Sequence, residues 1–114
     1  MSKLTTDLLL VAMRDHIGIR GGVTATKLVD EINQLAGERV CRERDLRSVV
    51  EKLREEGHHV CAHPKTGYFI AANADELQLT CEFLTSRAMR SLKQVSAMKR
   101  VSVPDLMGQM HFPT

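Results

Sequence analysis

"DLRSVVEKLREEGHHVCAHPKTGYFIAANADEL", residues Asp45 to Leu77, is the stretch whose reading decides the fold. Leu46, Val49, Val50 and Leu53 recur at helical spacing, and at about 100° per residue they share one sector roughly 100° wide. Arg44, Ser48, Glu51 and Glu55 fall opposite that sector, with Arg47 and Lys52 on its flanks. Gly57 is placed to end the helix. The next residues change period. His58 to His63 alternates as a strand does, which predicts Val60 and Ala62 inward and His59, Cys61 and His63 outward. Pro64-Lys65-Thr66-Gly67 supplies a turn, and Tyr68 to Ala71 returns as the partner strand. Asn73 with Glu76 forms the Asx version of a capping box. From there a helix can run to about Lys99 without Gly or Pro, about 26 residues or about 39 Å.

Upstream, Thr6 is the expected cap of a first helix with apolar positions Leu8, Leu9, Ala12, Met13 and Ile17, stopped by Gly21-Gly22. Val23 is a candidate short strand and Thr24 a second cap. Ala25, Leu28, Val29 and Ile32 then give a second helix ending near Ala36-Gly37. The order is helix, helix, helix, hairpin, long helix, tail, with no internal repeat and no low-complexity tract.

Composition narrows the function classes. The 114 residues are 43% apolar but only 4% aromatic, without tryptophan, so the core must be built from aliphatic side chains and Met. That favours small helical packing over a β-sandwich. The net charge of +2 is too small to argue for nucleic acid by itself. Its distribution says more: Ser86 to Arg100 holds Arg87, Arg90, Lys93, Lys99 and Arg100 and no acid. Cys41, Cys61 and Cys81 are odd in number and far apart, and neither a secretory leader nor a membrane-length apolar run is visible. The expectation is a cytoplasmic protein with reduced thiols. No Gly-rich phosphate loop, no paired carboxylates and no placeable Ser-His-Asp set point to catalysis, so neither an enzyme nor a cofactor is expected.

The segment Val40 to Ala71 resembles the winged helix-turn-helix domain at the front of biotin-operon-repressor-type proteins, and small winged-helix proteins of bacteriophages. The residues that carry the resemblance are Leu46, Val49-Val50, Leu53-Arg54, Gly57, Val60 and Gly67-Tyr68-Phe69-Ile70. The implied fold class is mainly α with a small β-hairpin wing, followed by a long C-terminal helix. Its expected divisions are residues 1–72 for the winged domain, 73–100 for the long helix and 101–114 for an extended tail. No ligase or ligand-binding domain follows, so those roles of the repressor family are not carried over. One departure concerns the start of the third helix, where Ser or Thr is common and this chain has Cys41. Either Cys41 belongs to the core or the helix start is shifted.

In such a fold the third helix enters the major groove with its first turns foremost. Arg44, Arg47 and Ser48 are early and away from the core stripe, the positions expected to reach base edges. Arg42 and Lys52 suit phosphate. Glu51 and Glu55 argue against a helix lying flat along the backbone, since phosphates would repel them. In the wing, Lys65 and His63 are candidates for a neighbouring groove or phosphate, while Thr26 and Lys27 open the second helix where amides bind phosphate. The plain alternative is a solvated face, with Arg44, Arg47, Lys52 and Arg54 ion-paired to Glu51, Glu55 and Glu56. His59, Cys61 and His63 have ligand chemistry, but one strand rarely wraps a tetrahedral ion, so no metal is expected.

Leu77, Cys81, Leu84, Ala88, Ser91, Val95 and Met98 follow the 4-3 spacing of a coiled-coil seam. Leu84, Ala88, Leu92, Val95 and Met98 are therefore the expected dimer contacts. In the tail, Gln109, Met110 and Phe112 lie in a segment that resembles the peptide by which bacterial replication proteins grip the sliding clamp. The expected function is sequence-specific binding of double-stranded DNA by a homodimer, as a phage or prophage transcriptional regulator or a replication accessory factor. The alternatives are a winged-helix protein-interaction module and a clamp-tethered replication factor without direct DNA readout.

Overall fold

The computed structural model describes residues 3–99, a mainly helical chain with four α-helices and one small two-stranded antiparallel sheet. Helix α1 spans Thr6–Ala12, α2 Ala25–Ala36, α3 Glu43–Glu55 and α4 Ala74–Lys99; strands β1 and β2 span Val60–His63 and Gly67–Ile70. The chain divides into two compact units, one ending at Thr80 and the other beginning at Cys81. The first unit thus takes in the opening turns of α4, beyond the boundary at 72 that the sequence suggests. Glu76, in those turns, is hydrogen-bonded to the Ile19 and Ala72 amides.

Each helix of the first unit starts where a side chain meets an orphan amide. Thr5, not Thr6, caps α1, its Oγ1 accepting from the Leu8 N–H at 3.1 Å. Thr24 caps α2 by accepting from the Lys27 N–H, and Gly37 closes it in the left-handed region at φ 73°. At α3 the cap residue is Arg42, whose side chain has no acceptor. The stabilising half of the motif is Asp45, whose carboxylate accepts from the Arg42 N–H at 2.9 Å. The helix start is therefore shifted past Cys41, and Cys41 is also core, 3% exposed. Both resolutions of that departure hold together.

Helix α1 is shorter than its apolar periodicity suggests. After Ala12 the chain tightens into a 3-10 turn, Met13–Asp15, and Ile17 leaves the helix to bridge Ile70 with its side chain exposed. His16 fixes this exit: its Nδ1 faces the Gly21 carbonyl at 2.8 Å and its Nε2 faces the Glu31 carboxylate at 3.0 Å.

The core joins Leu9, Met13, Leu28, Ile32, Leu46, Val50, Leu53 and Val60, all nearly sealed from solvent. At about 1.5–3 kcal/mol for each large aliphatic side chain removed from water, this cluster outweighs any surface ion pair in the molecule. Strands β1 and β2 pair with Val60 opposite Ile70 and His63 opposite Gly67. Val23 lies along the free edge of β2, exchanging hydrogen bonds with Tyr68 at 2.9 and 2.7 Å.

The expected alternation along β1 fails at Cys61. Val60 faces the core as expected, but Cys61 is also fully buried, as is its cross-strand partner Phe69, while Ala62 is half-buried. The second face of the hairpin is covered by the start of α4. The Cys61 Sγ–H points to the Glu76 carbonyl at 3.9 Å and to the His59 carbonyl at 3.7 Å. The Asx cap holds, with Asn73 Oδ1 accepting from the Glu76 N–H. The Glu76 carboxylate goes elsewhere, accepting from the Ala72 N–H at 2.8 Å and the Ile19 N–H at 3.0 Å.

In the second unit, the described part of α4 exposes Leu84, Ala88, Ser91 and Met98 and leaves Leu92 and Val95 half-buried. Arg87 stacks over Phe83, its guanidinium 5.8 Å from the ring centre. No helix among the described residues is long and apolar enough to cross a membrane. Gln109, Met110 and Phe112 lie outside the described residues.

Candidate nucleic-acid interface

Leu46, Val50 and Leu53 anchor α3 in the core, which turns its opposite side outward. Arg42, Arg44, Arg47, Ser48 and Lys52 are all exposed. Among the described residues no ion pair joins Arg44, Arg47 or Lys52 to Glu51, Glu55 or Glu56. The Ser48 hydroxyl donates back to the Arg44 carbonyl at 3.4 Å, a weak bond that leaves its lone pairs outward.

Charges of both signs are interleaved along the helix. Arg42, Arg44 and Arg47 occupy the entry and first turns; Glu51 and Glu55 follow on the outer face. Glu51 lies one turn beyond Arg47, about 6 Å along the axis. At that distance in water two unit charges interact by only about 0.7 kcal/mol. Glu51 therefore offsets little of the Arg47 charge, while Glu43 and Asp45 in the first turn and Lys52 and Arg54 in the last keep both signs along the helix.

Two side chains hold this helix in register. Asn33 Oδ1 accepts from the Val40 N–H at 2.8 Å and the Cys41 N–H at 3.2 Å, while its Nδ2 donates to the Cys41 carbonyl at 3.4 Å. The turn before α3 is thereby pinned to α2. Burial, and then the nearby Asp45 charge, push the Cys41 thiol above its ordinary range. At the other end of α3, Arg54 donates from Nε to the Val60 carbonyl at 2.7 Å and fixes the hairpin against the helix. Arg54 is thus taken out of the outward-facing set.

The hairpin presents Lys65, exposed at its turn, and a half-buried His63. His63 Nδ1 accepts from the Lys65 N–H at 3.1 Å, so His63 shapes the turn and leaves Lys65 as its outward charge. The start of α2 differs from expectation. Thr26 Oγ1 donates to the Glu43 carboxylate at 2.6 Å, which sets a negative group where a phosphate was expected; Lys27 remains exposed. His59, Cys61 and His63 do not converge: Cys61 is buried beneath the start of α4, His63 is half-buried beside the turn and His59 is exposed. Among the described residues no group of three His, Cys, Asp or Glu side chains is placed to hold a metal ion.

Asn33, Arg54 and Arg39 carry roles that sequence reading missed. Arg39 is exposed and lines a cleft with Val40, Cys41, Arg42, Arg44, Asp45 and Ser48. Its only sequence signal is its position two residues before a cysteine that ends up in the core. No family model, no curated protein and no solved structure matches the chain.

Proposed function

We propose that this chain is a winged helix-turn-helix protein that binds double-stranded DNA in a sequence-specific way, with α3 as the recognition helix and the β1–β2 hairpin as the wing. The observation that carries the reading is the exposed set Arg42, Arg44, Arg47 and Ser48 on the leading half of a helix braced at both ends. An arginine so placed can pair bidentately with guanine, which discriminates by about 1–3 kcal/mol. Lys52, Lys27 and Lys65 supply phosphate contacts around it, and Glu51 and Glu55 keep the second half of α3 off the backbone. The exposed seam residues Leu84, Ala88 and Met98 support dimerisation through α4, which doubles the reading heads without new contacts. The biological role in this reading is phage or prophage regulation or a replication accessory function, with the Gln109 to Phe112 segment as a tether to the sliding clamp.

An electrophoretic titration on random duplex at two salt concentrations tests it. A DNA binder loses affinity steeply as salt rises; absence of any shift at low salt rejects the reading. One observation favours a second reading, a protein-docking module. Val11 and Leu35 are 42% and 56% exposed and lie together on a depression with Arg14 and Glu31. That reading predicts no retardation of DNA and loss of a protein partner on Leu35→Asp.

A further inference from the structure

The cleft at the entry of α3 is lined by Arg39, Arg42 and Arg44 together with Asp45 and Ser48, over a floor made by Val40 and Cys41. Its three guanidiniums are exposed, and none has a hydrogen-bond or ion-pair partner among the described residues. The lone acid, Asp45, is already engaged, its carboxylate accepting the Arg42 N–H. Three positive charges against one negative leave the cleft at +2.

What distinguishes this cleft from a chance cluster of surface arginines is its backbone. Val40 and Cys41 are 8% and 3% exposed, and the Asn33 amide makes three hydrogen bonds to their main chain. Arg39 and Arg42 flank that pinned pair directly. Their starting points are therefore fixed before any ligand arrives, and only side-chain rotamer freedom is lost on binding. Planar guanidiniums on a rigid loop match the oxygens of a phosphate in a bidentate manner that a lysine ammonium does not.

We infer that the Arg39–Arg42–Arg44 cleft takes a phosphodiester group of the DNA backbone, with Arg39 as a phosphate contact that sets the register of the recognition helix. The inference rests on the DNA-binding reading above and deepens it. Arg39 and Arg42 grip the strand at the groove edge, and Arg44 turns from the same cleft toward the bases with Ser48 and Arg47 beyond it. Phosphate contacts position a protein but do not read sequence. Arg39 is thus assigned affinity and salt dependence, not specificity.

The test is a fluorescence-anisotropy titration of the full chain on a random duplex and on a duplex selected for tight binding, at several salt concentrations. Wild type, Arg39→Ala, Arg39→Lys and Arg47→Ala are compared after circular dichroism shows equal folding. Arg39→Ala is expected to weaken both duplexes by the same factor, about two- to fivefold, and to flatten the salt slope by about 0.9. Arg39→Lys is expected to recover the slope but not all of the affinity, while Arg47→Ala weakens the selected duplex more than the random one. Wild-type affinity and slope in Arg39→Ala, with wild type still binding DNA, overturns the cleft assignment and leaves the DNA reading standing. No binding of either duplex by wild type overturns the DNA reading itself. Binding of a phosphorylated peptide that depends on Arg39, without duplex binding, moves the cleft to a protein ligand and likewise rejects the inference.

Discussion

Arg54 donates from Nε to the carbonyl oxygen of Val60 at 2.7 Å, joining the last turn of α3 to the first residue of the hairpin. Both ends of this contact matter to the proposed interface, because it holds the hairpin at a set angle to the helix. Leu53, its neighbour in sequence, is fully buried. The Leu-Arg pair is one unit: one side chain packs the helix and the next fastens the strand. Arg54→Ala is expected to lower the unfolding free energy by about 1.5–3 kcal/mol, the range for a charge-assisted hydrogen bond. Urea denaturation reads this as a lower midpoint with an unchanged slope; an unmoved midpoint would show that the bond contributes nothing.

Gly67 opens β2 at φ 87°, and a Cβ placed there would meet the Val23 carbonyl oxygen and carbon. Gly37 has a similar φ of 73°, but a Cβ there meets nothing within 4 Å. The pair separates strain from collision. Gly37→Ala is expected to cost about 1 kcal/mol from the left-handed conformation alone. Gly67→Ala adds a backbone clash and is expected to cost at least about 3 kcal/mol. Thermal unfolding of the two variants checks the ranking, and equal losses would contradict it.

The Glu76 carboxyl is held below its ordinary value of 4.5, first by the Ala72 N–H and then by the Ile19 N–H. A carboxyl whose folded-state pKa is lowered contributes stability that is fully present above its unfolded pKa, and this is lost as pH falls through the folded value. Glu76→Gln is therefore expected to be less stable than wild type at neutral pH. The gap should close progressively below about pH 4.5. Chemical denaturation of both proteins across that range measures it, and a gap independent of pH would remove the carboxylate from the account.

Thr66 has a side-chain oxygen buried without a hydrogen-bond partner among the described residues. Valine has the same shape without the unpaired hydroxyl. Thr66→Val is expected to leave stability unchanged or raise it by up to about 1 kcal/mol. A lower melting temperature would mean that the hydroxyl is satisfied in solution.

Arg47 and Lys52 flank the same helix but have different assignments in the proposed DNA complex. Arg47→Ala is expected to cost about 1–3 kcal/mol on the preferred site and to relax discrimination there. Lys52→Ala is expected to weaken all duplexes alike. Competition binding against single-base variants of the site distinguishes them. Equal effects on every variant from Arg47→Ala would place Arg47 on phosphate instead.

Much of this was legible in the residues alone, for local reasons. The spacing of Leu46, Val49, Val50 and Leu53 dictates a helix and its buried side, and Gly67 dictates the hairpin turn. Asn73 marks the start of α4. Each is an interaction between residues within four or five positions, so the order of elements is determined by the chain itself. Contacts between distant segments were not legible. The period-2 pattern of β1 treats Cys61 as solvent-facing because a strand has two equivalent faces until something covers the second one; the start of α4 does so. The pinning of the α2–α3 turn by Asn33, the Thr26–Glu43 bond that displaces an expected phosphate, and the gathering of Arg39 with Arg42 and Arg44 depend likewise on how helices pack. Hydrophobic periodicity specifies which side of each element is buried, while the hydrogen bonds that orient the exposed side form only once those elements have docked.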